Sequence, residues 1–347
     1  MEKRAFGTLA DGEEATLYTI TNSKGMCAKI TDFGATIVSL VVKDRDGNDT
    51  DVVLGYEDAP TYQQQTASFG AVVGRNCNRI ADAAIVIDGV TYQLERNDNE
   101  NNLHSGSQST SQRLWEAKEQ TDSKVTFVIE DADGQQGYPG NAVMEVTYEV
   151  TEDNKLAITY HATADKTTVF NMTNHAYFNL NGAGSGTAMD QVLQIRASHY
   201  TPVIDAKAIP TGEIASVEGT PFDFREAKPM GRDIAQENDQ LGYGHGYDHN
   251  FVLDKAHAGM ETVASAYSEK TGIRMEVETD CIGMQLYTAN FIQGQKVQGG
   301  AVCADHDAFC LETQYFPNSI NEPNFTTPLT EAGTSYDSKT VYAFSIA

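Results

Sequence analysis

Polar and apolar residues alternate with a period of two along much of this chain, the pattern of strands buried on one face. Over residues 142–165, Met144, Val146, Tyr148 and Val150 alternate with Glu145, Thr147, Glu149 and Thr151, EDNK turns the chain, and Leu156, Ile158 and Tyr160 resume the period. This predicts a hairpin. A second hairpin is predicted over 85–94, IVIDGVTYQL, because Asp88-Gly89 between two β-branched runs supplies the positive-φ pair that a type I′ turn needs. Further strand-like runs are GATIVSLVVKD with the turn RDGND behind it, KVTFVIED, QVLQIRA, RMEVETD, MQLYTANFI and VYAFSIA. Helical periodicity is scarce, and EDAPTYQQQ at 57–65 is the best candidate for a short helix. The runs spread over residues 1–347 without a Pro/Gly/Ser-rich linker, a composition shift or a fixed-period repeat. The expected fold is all-β: one large single-domain, mostly antiparallel β-sandwich or barrel with few short helices.

Composition narrows the functional classes. With 49 acidic against 24 basic residues the net charge is −25 and no Lys/Arg cluster stands out, so nucleic acid and anionic membrane surfaces are disfavoured partners and a neutral small molecule suits the field better. The early basic pair Lys3-Arg4 is not followed by an apolar signal-like run, and no apolar stretch is long enough to span a bilayer. A cytoplasmic protein is expected. The five cysteines, Cys27, Cys77, Cys281, Cys303 and Cys310, are odd in number and include no C-x-x-C pair, which points to free buried thiols rather than disulfides or a thiolate zinc site.

Several segments set polar side chains among strand-like neighbours: GRNCNRI, NLHSG, TNHAYFN, GYDHNF, MQLYTANF and LETQYFPNSIN. Buried polar groups of this kind are paired or serve a ligand. His175 reads either as a packed core histidine or as a proton-transfer group. Glu312, in the apolar run FCLETQYF, either faces solvent or, facing inward, becomes a base of raised pKa. Arg79 with Asn78 offers a planar fork of donors or a structural ion pair, with Arg75 four residues away. His104 reads as a loop-end histidine or a ligand. His245, Asp248 and His249 in HGYDH suggest a metal site on residue type alone, but Gly244 and Gly246 argue against the helix that would make the two imidazoles converge.

Taken together and in order, DFGATIVSLVVKDRDG, VVLGYED, GRNCNRI, NLHSG, DGQQGYPGN, NMTNHAYFNL, GTPFDFR, GYDHNFVL, MQLYTANFI and LETQYFPNSINEPNF resemble the aldose 1-epimerase (galactose mutarotase) family over nearly the full length. That resemblance implies a β-sandwich with an open sugar cleft, and interconversion of the α and β anomers of free hexoses such as glucose and galactose. It implies no cofactor and no metal, a free aldohexose as the partner, and a monomer or homodimer. It further implies His175 as general acid, Glu312 as general base, and Asn78, Arg79, His104, Asp248 and Gln285 on the sugar hydroxyls, with Tyr177 as a further lining residue. The segment LHSGSQSTSQRLWE departs from the family's usual turn at Ser105 and over 112–115, which bears on sugar preference. Two alternatives keep the scaffold: a hexose-6-phosphate 1-epimerase, and a non-catalytic carbohydrate-binding module.

Overall fold

The computed structural model describes residues 2–65 and 67–347. Its largest element is an antiparallel nine-stranded sheet in the order Glu116–Gln120, Lys124–Asp131, Ala142–Val150, Lys155–Ala164, Ser335–Ile346, Ile273–Thr279, Glu261–Tyr267, Val192–Ile195 and Lys228–Pro229. The alternation read over 142–165 is realised here: Met144, Val146, Tyr148, Val150, Leu156, Ile158 and Tyr160 are all buried in the main core, and Lys155–Ala164 pairs along its length with both neighbours. The C-terminal strand begins at Ser335, earlier than VYAFSIA suggested. Its first half carries Ser335, Asp337 and Lys339 on the outer face, and this polarity hid it.

Four two-stranded pairs and two five-stranded antiparallel sheets accompany the nine-stranded sheet among the described residues. One runs from Glu2–Thr8 through Glu14–Thr21, Cys27–Thr31 and Thr36–Lys43 to Asp49–Asp51. The other has the order Ala215–Ser216, His199–Thr201, Asp248–Val252, Gly283–Tyr287 and Cys310–Gln314. The second lies against the nine-stranded sheet: the Tyr342 hydroxyl donates to the Leu311 carbonyl at 3.1 Å, and Phe251, Met284, Leu286 and Leu311 share a core with Val277, Tyr342 and Phe344. The small hairpin Ala84–Ile87/Val90–Gln93 turns at Asp88 and Gly89, with φ of 51° and 78°, as the type I′ reading requires.

Helix is confined to short pieces. Ala59–Gln64 lies inside the expected segment, with the Asp58 side chain accepting from the Thr61 N–H and Pro60 in the first turn, a common helix start. A second helix, Asp239–Gly244, was not foreseen; Asn238 caps it and His245 ends it with φ 55°. The run MQLYTANFI is only half strand, because the chain leaves the sheet after Tyr287. There Ala289 takes φ 51° and the Asn290 amide turns to the Gly244 and Tyr247 carbonyls at 2.7 and 3.0 Å.

Candidate active site

Strand register decides which side chains meet. Asp248 pairs with Tyr287 and Asn250 with Gln285; Gln285 pairs with Glu312 and Tyr287 with Cys310. Alternation therefore puts Asp248, Asn250, Gln285, Tyr287, Cys310 and Glu312 on one face, and Phe251, Met284, Leu286 and Leu311 on the other, in the core. Glu312 faces away from that core and remains buried, because other segments fold over the polar face.

One of those segments brings His175. The two-residue strand Thr173–Asn174 pairs with Val72–Val73, the His175 N–H donates to the Ala71 carbonyl, and its own carbonyl accepts from the Gly70 N–H, both at 2.9 Å. Gly70 has φ +66°, and a Cβ there would lie 2.0 Å from the Ile37 carbonyl oxygen, so only glycine fits beside the histidine. The ring stacks on Tyr177 with centroids 5.0 Å apart and planes 13° apart.

A third wall is the pair Arg79–Ile80 and Asn102–Leu103. The Asn78 backbone N–H donates to His104 Nδ1 at 3.1 Å, and the His104 N–H returns a bond of 3.1 Å to the Asn78 carbonyl. Nδ1 is thereby an acceptor and Nε2 carries the proton. Arg79 Nε donates to Asp98 at 2.8 Å, and Nη1 stands 3.9 Å from Asp248. Arg75, its neighbour in the same motif, is the structural arginine: it is buried against Asp131 and the Pro139 and Gly140 carbonyls.

These walls enclose a cavity of about 250 Å³, at the small end for ligand pockets and suited to one monosaccharide better than to a larger molecule. Of the residues chosen from sequence, Asn78, Arg79, His104, His175, Tyr177, Asp248 and Glu312 line it. Gln285 does not; its amide donates to Asp248 at 2.7 Å and holds that carboxylate from behind. The Tyr177 hydroxyl is committed to the Ala67 carbonyl at 2.9 Å, so Tyr177 presents its ring. Tyr287 and Phe291, quoted within MQLYTANFI without being singled out, also line the cavity, and Phe291 is 63% exposed. The available signal was two aromatics, Tyr287 and Phe291, flanking the polar residues Thr288 and Asn290 in one short run. Ser68, Leu103 and His104 are shared with a second depression of about 700 Å³, walled on its far side by residues of the segment 106–114. His175 and Glu312 line the smaller cavity and not the larger depression.

His175 Nε2 lies 3.6 Å from Glu312 Oε2, and both side chains are buried. That oxygen has no hydrogen-bond partner among the described residues. Burial pushes the Glu312 carboxyl well above the usual carboxylate range, the nearby Asp248 charge adds to the rise, and Arg79 opposes it. Burial drives His175 down to about 4 and His104 well below its ordinary value, the latter helped by His175 and Arg79. Asp248 is also raised by burial, with Arg79 and Gln285 acting against the rise. The metal reading of HGYDH dissolves: Asp248 enters the cavity, whereas His249 turns to the other side against Phe222 at 4.7 Å and Gln240. His245, at the end of its helix, packs on Phe291.

Residues 16–343 match the model of the family described as aldose 1-epimerase. The chain belongs to the aldose 1-epimerase family. Within that family's relatives it is 38% identical to a galactose mutarotase of Sus scrofa over 346 residues, covering 99% of this chain and 98% of the relative. It is equally 38% identical to an aldose 1-epimerase of Escherichia coli (strain K12) over 336 residues, 96% of each chain. Among solved structures, an aldose epimerase homologue from C. elegans superposes with a TM-score of 0.88 at 31% identity, covering 95% of this chain and 99% of that one. A galactose 1-epimerase from Lactobacillus acidophilus NCFM gives 0.86 at 26% identity, covering 100% and 98%. The β-sandwich is therefore that of aldose 1-epimerases. No helix among the described residues is long and apolar enough to cross a membrane.

Proposed function

We propose that this chain interconverts the α and β anomers of free hexoses, with His175 and Glu312 exchanging protons with the sugar. The observation that carries the reading is the buried His175–Glu312 pair, 3.6 Å apart at the wall of a monosaccharide-sized cavity. Glu312 takes the proton of the C1 hydroxyl while His175 gives one to the ring oxygen. The C1–O5 electron pair leaves with O5, the C1 carbonyl forms, rotation about C1–C2 exposes the other carbonyl face, and reclosure reverses both transfers. Each transfer contributes about 10²- to 10⁴-fold.

The chemistry needs one proton on the pair and does not depend on which member holds it first. The raised carboxyl and lowered imidazole place it on Glu312. The carboxylate–imidazolium form is reached by one transfer, favoured when sugar hydroxyls and Arg79 solvate the carboxylate. Arg79, Asn78, His104 and Asp248 then supply the mixed donors and acceptors that a ring of hydroxyls needs, with Gln285 holding Asp248. A sugar phosphate fits less well. Among the described lining residues Arg79 is the single Lys or Arg, and it is already held by Asp98 and faces Asp248.

The test is polarimetry or NMR exchange on freshly dissolved α-glucose and α-galactose. His175→Ala and Glu312→Gln are each expected to lower kcat by about 10²-fold or more. Wild-type protein that leaves exchange at the buffer rate for every free sugar would falsify the activity, and full activity in both variants would remove the two residues from it. A binding module without catalysis predicts the first of these results together with saturable sugar binding.

A further inference from the structure

Behind the acid–base pair lies a thiol that anomer exchange leaves without a task. Cys310 stands two residues before Glu312 on the same strand and on the same face. Its Sγ is 3.6 Å from His175 Nδ1, while the other ring nitrogen faces Glu312. One donor atom from each of the three residues lies within 4.8 Å of the other two, and among the described residues no second group of three His, Cys, Asp or Glu side chains converges in this way.

The geometry is close to that of a coordination site. A point central to three atoms no more than 4.8 Å apart lies within about 2.8 Å of each, and zinc bonds to sulfur, nitrogen and oxygen run about 2.0–2.3 Å. A contraction of about 0.5–0.8 Å completes the set. Glu312 supplies an independent sign of an absent partner: the residue is 2% exposed, and its Oε2 has no hydrogen-bond donor among the described residues. A buried carboxyl oxygen without a partner is costly, and a cation that takes the place of its proton relieves it. Asp248 adds negative charge nearby, and His175 and Glu312 reach the cavity while Cys310 lies behind them.

We propose that Cys310, His175 and Glu312 together capture a thiophilic divalent cation of the Zn²⁺ or Cd²⁺ class, which blocks sugar turnover by occupying the acid and the base at once. Binding is coordination without redox change: the thiol and carboxyl protons leave to solvent, and sulfur, imidazole and carboxylate lone pairs bond the metal. The sulfur and nitrogen donors select against Mg²⁺ and Ca²⁺, which demand oxygen cages. The inhibitory consequence rests on the epimerase reading; the site itself rests on side-chain geometry.

The experiment titrates the full chain with CdCl₂ in a non-chelating buffer, following the ultraviolet thiolate-to-Cd²⁺ charge-transfer band and, in parallel, anomer exchange. One saturating equivalent is expected, with the band lost in Cys310→Ser, affinity at least tenfold lower in Glu312→Gln, and inhibition half-maximal where the band is half-formed. No saturable band, or a band surviving in Cys310→Ser, overturns the proposal. Should Cys310→Ser fail to fold, Glu312→Gln keeps the thiol, and unweakened binding there overturns it equally. Inhibition that does not track the band removes the regulatory consequence. A band with the expected dependence on both residues in a protein that exchanges no sugar's anomers leaves the metal site standing and removes the epimerase reading instead.

Discussion

His175 and Glu312 must share one proton if one is to act as acid and the other as base, and their surroundings set the pH range over which they do. Burial lowers His175 to about 4 and raises Glu312 well above its ordinary value. A second proton enters the pair only on the acid side of the His175 value, and the last one leaves only above the usual carboxylate range. A plot of kcat against pH is therefore expected to fall on the acid side near pH 4 and, on the alkaline side, well above 4.5, both limbs belonging to the pair rather than to one residue. Glu312→Gln should abolish the alkaline limb. An alkaline limb at an ordinary carboxylate pKa in the wild type would show that Glu312 is solvated and that the buried geometry is not the working one. His104 is different in kind: its Nδ1 is tied to the Asn78 N–H, so it offers a fixed Nε2–H donor, suited to orienting a hydroxyl rather than to moving protons.

Short elements do much of the positioning. His175 follows a strand of only two residues, and its ring is aimed by backbone bonds to Ala71 and Gly70. Gly70→Ala would drive a Cβ into the Ile37 carbonyl at 2.0 Å in a backbone with φ +66°. The expected loss is more than about 2 kcal/mol in urea unfolding, the scale of a strained special φ/ψ combined with a backbone clash. Because the displaced group is the one that carries His175, kcat should fall more than KM rises. Unchanged kcat in a destabilised Gly70→Ala protein would mean that the Gly70–His175 contact does not set the ring position. The longer hairpins were legible in advance because alternation over eight or more residues is hard to mistake, and Asp88-Gly89 announces its turn. The strands of two or three residues were not legible: a period of two needs more length to be seen, and these elements owe their pairing to neighbours far along the chain.

At the scale of the whole molecule, several ionisable side chains are held in their neutral forms by burial, and this couples stability to pH. His175 at about 4 and His249 at about 3 both lie below the ordinary 6.5. Their folded values are depressed, so their contribution is complete above about pH 6.5 and is lost as pH falls toward the folded values. At pH 5 each has cost about 2 kcal/mol. Glu312, shifted upward, acts in the opposite sense, and what it contributes is lost as pH rises through its folded value. The stability of His249→Phe relative to wild type in urea unfolding is expected to rise between pH 7 and pH 5, because the variant loses the cost of charging a buried imidazole while the opposing carboxyls, Glu312 and Asp32 among them, act alike in both proteins; a difference that does not change with pH would contradict the burial account. What the sequence determined by itself was everything local or patterned: the alternation that makes sheets, the Asp-Gly turn, the acidic charge, and the ordered set of motifs that carries the family resemblance with His175 and Glu312 in it. Only the tertiary structure decided which face of each strand meets which. Register put Asp248, Gln285, Cys310 and Glu312 on one face and sent His249 to the other, and the segments folded over that face bridged Gln285 to Asp248, committed the Tyr177 hydroxyl to Ala67 and set His175 beside Cys310. The physical reason is the strand period: a one-residue difference in position or pairing exchanges the two faces, and the partners that fix the pairing lie dozens to hundreds of residues away.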